Sequence, residues 1–143
     1  MLILWLMLAV PFGLGTSQPV KTDVKKELNA DTLTISFNLS IANGWHVYST
    51  NLEGKGPTQA EMVIDSISGA VAIGGLQFEG QEQEKFDNLF DMQVRYFSNN
   101  VRFVQRYLIE DNYYIEGALQ YGACDDESCL PPQKCEFLYT EGG

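Results

Sequence analysis

The residues in this 143-residue chain best suited to chemistry are its three cysteines. Two of them, Cys124 and Cys129, sit in the segment Tyr121-Gly122-Ala123-Cys124-Asp125-Asp126-Glu127-Ser128-Cys129-Leu130-Pro131-Pro132, with four residues between them. Two thiols on one short loop can come within disulfide reach, although spacing alone leaves their Cα separation open. A disulfide there would be either a staple or a redox centre. As a staple it is weak, because closing so short a loop yields only about 2 kcal/mol against roughly 4.7 for a hundred-residue loop. Local disulfides do rigidify loops in exported proteins, so spacing decides nothing further. The count is odd, and one thiol must stay free or pair between chains.

Exchange chemistry needs a thiolate, an accessible sulfur and a clear line of attack. Asp125, Asp126 and Glu127 put negative charge beside both sulfurs, which disfavours thiolate and raises the thiol pKa values. Such a pair is slow toward random thiols and suits a module that reacts when docked. A plain solvated turn would carry the same carboxylates. Pro131 and Pro132 have no N–H to give to a ladder, so they hold the chain extended beyond Cys129 or simply end a strand. Cys135 shares a strand face with Phe137 and Tyr139 and reads as a buried, reduced thiol behaving as a small hydrophobe. His46 is the single histidine and is expected to be structural or partner-facing near the site; with these cysteines it builds no convincing metal site. No metal or other cofactor is called for, and no acid–base pair, phosphate loop or Ser/His/Asp set stands out.

The elements that must position these residues are strands. Leu33, Ile35, Phe37, Leu39 and Ile41 alternate with Thr32, Thr34, Ser36, Asn38 and Ser40, the pattern of a strand with one wet face. Val20 to Leu28 precedes it as a strand, with Asn29-Ala30-Asp31 turning between. Ala42-Asn43-Gly44 turns into a short strand from Trp45 to Tyr48, and Asn51 to Pro57 is a loop. Thr58 to Ile67 reads as a strand broken at Ser68-Gly69, and Val71 to Ile73 as a short run ended by Gly74-Gly75. Met92 to Phe97 and Val101 to Leu108 form a hairpin about Ser98-Asn99-Asn100. Glu110-Asp111-Asn112 then turns into a strand from Tyr113 to Tyr121, and Lys134 to Tyr139 is the last. Gly80 to Asn88 is the least strand-like stretch, polar and acidic around Phe86, with Leu89 and Phe90 just beyond. No helical period is sustained. The fold class is all-β, a sandwich.

The length is that of one domain with one sizeable core. With 45% hydrophobic residues the chain folds rather than staying disordered. The net charge of −10 and nine scattered Lys and Arg repel phosphate backbones, which argues against nucleic acid. Residues 1–17 read as an apolar leader, too short to span a bilayer and shaped like the apolar part of an export signal, with Gly13, Gly15, Thr16 and Ser17 near a cleavage point. The usual positive charge ahead of it is missing, which points to an upstream start or a trimmed leader. A buried strand is the alternative, and no cysteine follows to suggest a lipid anchor. The domain proper is then 18–143, in an oxidising compartment.

Cys124-Asp-Asp-Glu-Ser-Cys129-Leu-Pro131-Pro132, with Gly44-Trp45-His46-Val47-Tyr48-Ser49 upstream, resembles the N-terminal periplasmic domain of the thiol:disulfide interchange protein DsbD. The resemblance covers most of the chain after the leader. It implies an immunoglobulin-like β-sandwich in the periplasm whose one redox pair, here Cys124 and Cys129, passes electrons between thioredoxin-fold partners as a component of a protein-disulfide reductase. In that family the second cysteine bonds the partner, which matches Cys129 beside the Leu130-Pro131-Pro132 lip and leaves Cys124 as the resolving thiol. The family also has a loop whose aromatic residue covers the sulfurs, making Phe86, Leu89 and Phe90 the candidates for shielding. DsbD continues into a membrane-embedded electron-transfer domain and a thioredoxin-like domain, whereas this sequence stops at Gly143. Those parts are therefore expected on other polypeptides, as a membrane-embedded partner, or the chain is a fragment or a free-standing relative. The alternative is a non-catalytic immunoglobulin-like binding module whose disulfide only shapes a loop.

Overall fold

The computed structural model describes residues 18–52 and 56–141. The leader and part of the Asn51 to Pro57 loop lie outside them. Among the described residues there are nine strands and no helix. They are β1 (Val20–Asn29), β2 (Thr32–Ile41), β3 (His46–Tyr48), β4 (Glu61–Glu79), β5 (Gln83–Asp87), β6 (Met92–Phe97), β7 (Asn100–Tyr121), β8 (Ala123–Cys124) and β9 (Gln133–Thr140). A larger sheet runs β1-β2-β7-β4 with β9 also on β7, and a smaller one runs β5-β6-β3-β8.

The alternation in β2 does what its pattern requires. Leu33, Ile35, Phe37, Leu39 and Ile41 all point into the main core, where they meet Phe103, Ile115, Leu119 and Phe137 of the same sheet. The small sheet closes the other side with Val47, Phe97 and Ala123. Alternation then sends its remaining side chains outward. Tyr48, Val94 and Cys124 are buried there in a second apolar cluster, packed by Leu52, Phe90, Met92 and Tyr96. The small sheet is thus covered on both faces.

Four expectations need correction. Met92 to Phe97 and Val101 to Leu108 are not a hairpin: β6 belongs to the smaller sheet and β7 to the larger, so the chain crosses between sheets at Ser98-Asn99. Ser68-Gly69 and Gly74-Gly75 do not end strands: they are irregularities within one long β4, which pairs with β7 from Glu61↔Gln120 to Glu79↔Arg102. Likewise Glu110-Asp111-Asn112 does not separate two strands, because β7 runs unbroken from Asn100 to Tyr121. The turn chemistry is real, with positive φ at Gly69, Gly74 and Asn112, but it serves β-bulges instead of reversals. Ala70 pairs with Ile109 and Ser68 with Tyr114, so residues 110–113 bulge opposite Gly69. At the second bulge the buried Gln105 amide donates to the Gly74 carbonyl at 3.1 Å and satisfies it. Finally, much of the polar Gly80 to Asn88 stretch is strand β5, paired along its length with β6 from Gln83↔Tyr96 to Asp87↔Met92. It is the edge of its sheet and largely exposed, so it carries charge in place of an apolar alternation.

Two sets of contacts fix the backbone around the small sheet. Arg95 of β6 holds Glu82 at 3.0 Å and donates to the Thr50 and Asn51 carbonyls, fixing the chain beyond β3. Gly122 accepts the Tyr48 N–H through its carbonyl at 3.1 Å, and a Cβ placed on it would lie 2.5 Å from the Thr58 carbonyl oxygen. No side chain fits there without moving backbone. Gly122→Ala is expected to cost about 1–3 kcal/mol, the range for overpacking. Urea unfolding checks this, and an unchanged midpoint would contradict the packing described.

Candidate redox site

Cys124 and Cys129 are joined by a disulfide, with an S–S distance of 2.02 Å and Cα atoms 4.0 Å apart. The loop between them is a miniature hairpin. Leu130 N–H donates to the Ala123 carbonyl and Asp125 N–H to the Ser128 carbonyl, both at 2.9 Å, and the two cysteines form a bridge between these bonds. Asp125 supports the tip: its Oδ1 accepts the N–H groups of Glu127 (2.9 Å) and Ser128 (2.7 Å) and the Ser128 hydroxyl (3.2 Å). Those backbone donors hold its carboxyl below the usual aspartate range. None of these bonds requires the sulfur–sulfur bond. The two sulfur-bearing residues differ in surroundings: Cys124 is 2% exposed, within the outer cluster, whereas Cys129 is exposed.

Behind Cys124 stands a buried polar relay. β3 pairs with β8 so that His46 lies opposite Cys124 and Val47 opposite Ala123. His46 Nε2 is 3.0 Å from the Tyr48 hydroxyl, which donates to Asp87 Oδ2 at 2.9 Å. The other Asp87 oxygen accepts the Leu89 N–H at 2.8 Å and so shapes the turn after β5. Burial, with the Asp87 hydrogen bond and charge adding to it, pushes the Tyr48 hydroxyl pKa well up. For His46, burial and then Lys85 lower the pKa, against the opposing pull of Asp87, Asp126 and Asp125. His46 also makes edge contacts with the Tyr48 and Tyr96 rings, at 5.1 and 5.2 Å between centroids.

The shielding candidates divide. Phe90 packs edge-on against Tyr48 at 6.2 Å and belongs to the cluster that buries Cys124. Phe86 and Leu89 are half exposed, at 53% and 50%, and with His46 they line a cavity of 260 Å³ whose other wall is Asp125 and Asp126. Leu130 is half-buried against the main core, while Pro131 and Pro132 are exposed on the way into β9. Cys135 is a buried free thiol opposite Leu119, and burial raises its pKa. Among the described residues no group of three or more His, Cys, Asp or Glu is placed to hold a metal ion. Sequence reasoning missed Tyr48 and Asp87 as site residues. Their hydrogen bond spans 39 positions, and no local pattern announces it.

A family model described as the N-terminal part of the thiol:disulfide interchange protein DsbD matches residues 16–141. The chain belongs to that DsbD N-terminal family. Two solved structures share the fold. One is the reduced DsbD N-terminal domain of Neisseria meningitidis, at 19% identity and a TM-score of 0.51, covering 85% of this chain and 86% of that one. The other is the N-terminal periplasmic domain of ScsB from Proteus mirabilis, at 11% identity and a TM-score of 0.59, covering 89% of this chain and 47% of that one. Among curated proteins nothing matches. The sandwich is therefore the immunoglobulin-like all-β fold of DsbD N-terminal domains, and the chain is a thiol:disulfide interchange domain carrying a disulfide-bonded pair.

Two measurements check this geometry. Native alkylation of the reduced protein should label the exposed Cys129 rapidly and leave the buried Cys135 unmodified until denaturant is added; rapid native labelling of Cys135 would contradict its burial. A folded-state carboxyl pKa that is depressed lends support present above the unfolded value and lost as pH falls through the folded one. The Glu127 and Ser128 amide resonances should therefore shift together on acidification, with a midpoint below the ordinary aspartate value of 3.8. A midpoint at or above that value would mean that Asp125 does not hold the tip.

Proposed function

We propose that this domain passes electrons between thioredoxin-fold partners in the periplasm through the Cys124–Cys129 pair, with Cys129 bonding the partner and Cys124 resolving the mixed disulfide. The observation that carries the reading is the asymmetry of the pair. Exchange requires in-line access to the sulfur under attack. Cys129 is on the exposed arm of the loop, whereas Cys124 is packed beneath Tyr48 and Phe90. A partner thiolate attacking Cys129 expels Cys124, which stays seated in its cluster close enough to return. The hydrogen-bonded tip at Asp125 supports that return by keeping the loop closed in both redox states.

In this reading residues 1–17 are an export leader, 18–143 the working domain, and a membrane-embedded protein the further electron-transfer partner. Phe86, Leu89 and Phe90, on and beside the turn that Asp87 shapes, act as a shield that a docking partner displaces. The exposed Pro131 and Pro132, with Leu130 anchored below, form the surface on which that partner settles without competing ladder bonds.

Removing the resolving thiol should leave a mixed disulfide that cannot collapse. Cys124→Ala is expected to accumulate a covalent complex with a thioredoxin-fold partner on a non-reducing gel, and Cys129→Ala is not. The reverse pattern would exchange the two roles, and no trapping by either would favour a binding module. Alanine at Phe86, Leu89 and Phe90 together should speed reduction by a small thiol several-fold, and an unchanged rate would mean the turn is no lid.

A further inference from the structure

The exchange reading leaves a proton unassigned. Cys124 must lose its proton before it can attack, yet it is buried, with Asp125 and Asp126 directly following it in the chain. Carboxylate charge and burial both disfavour a free thiolate there. We propose that the imidazole of His46 is the base that takes the Cys124 proton when the mixed disulfide is resolved. This deepens the exchange function proposed above and rests on it.

Three observations meet at this residue. His46 and Cys124 are opposite one another across β3 and β8, so their side chains leave the same face of the sheet. Directly opposed residues of an antiparallel pair have Cβ atoms about 4.5–5.5 Å apart, within reach for an imidazole and a thiol. The tautomer is dictated next. The Tyr48 hydroxyl has one proton, which it gives to Asp87, so toward His46 it can only accept. His46 therefore carries its proton on Nε2, and in the neutral ring the Nδ1 lone pair is left as the base. Two of the neighbouring carboxylates, lastly, already accept hydrogen bonds, and Asp126 is exposed. Asp87 receives Tyr48 on one oxygen and Leu89 on the other, and Asp125 Oδ1 receives three donors.

The groups facing the ring come from every element around it: Tyr48 on β3, Lys85 and Asp87 on β5, Tyr96 on β6, and Asp125 and Asp126 beyond β8. Burial and Lys85 outweigh the three carboxylates, so the resting imidazole is neutral and ready to accept. Cys124 Sγ gives its proton to Nδ1 and attacks Cys129 Sγ; the bond from Cys129 to the partner's sulfur breaks, and the partner leaves as a thiolate. The partner has then gained two electrons, the domain's disulfide is re-formed, and the imidazolium returns its proton to solvent through the cavity walled by Asp125 and Asp126.

The test uses the reduced chain and dithiobis(nitrobenzoate), whose coloured thiolate is released once when Cys129 attacks and again when Cys124 resolves. His46→Gln keeps an N–H for Tyr48 but removes the base. It is expected to slow the second release relative to the first by about a hundredfold near neutral pH, the scale of general-base catalysis. In the wild type the second rate should rise with pH and level off at the midpoint where NMR shows the sole histidine titrating. If His46→Gln leaves the ratio of the two phases unchanged, or the wild-type break falls away from the histidine midpoint, the assignment is overturned. Should the variant fail to fold, the wild-type coincidence decides alone. Absence of any second release in the wild type would instead overturn the exchange reading, and this inference with it.

Discussion

The hydrogen bond from the Tyr48 hydroxyl to Asp87 joins residues far apart in the chain, inside a cluster with little other polar company. A bond to a charged acceptor is worth about 1.5–3 kcal/mol, and its loss would leave buried polar groups short of partners. Much of the site hangs from it. On one side it orders the ring of His46, and through β3 the register with β8 that sets Cys124 in place. On the other, Asp87 uses its second oxygen to shape the turn carrying Leu89 and Phe90. One buried contact thus aligns both the ring opposite Cys124 and the turn after β5.

That contact works because the small sheet has two different faces. Val47, Phe97 and Ala123 belong to the main core, and their neighbours His46, Tyr48 and Cys124 belong to the cluster on the opposite side. A change of bonding at Cys124 is therefore felt first in the outer cluster, which is small, and not among the many fully buried side chains between the sheets. Close-packed cores resist even small changes of volume. Separating the sulfur chemistry from that core lets one loop change redox state while the scaffold stays fixed. The disulfide closes too short a loop to act as a major staple for the sandwich.

Much of this was legible in the sequence. Strand β2 appears with its bounds intact, since its apolar residues recur strictly at every second position. The cysteine segment and the buried place of Cys135 were readable for the same local reasons. The long strands β4 and β7 were not. Gly69, Gly74 and Asn112 carry the residue types of a reversal, and only the partner strand determines whether such a residue turns the chain or bulges it. The edge strand β5 was hidden because exposed edges need charge more than alternation. His46 was visible only as a structural or partner-facing residue near the site, and Asp87 was invisible, because what each does depends on neighbours brought from elsewhere by the fold.

A disulfide that is there to be exchanged differs from a structural one in how easily it is reduced. Equilibrating the protein with glutathione and dithiothreitol buffers of graded poise, and quenching to count oxidised molecules, gives its reduction potential. Structural disulfides of exported proteins lie below about −300 mV, whereas exchange centres are more easily reduced. A single two-electron transition is expected above that value, with Cys124 and Cys129 as the thiols that appear. A pair that stays oxidised until well below it would contradict the exchange function and leave the loop as a structural turn.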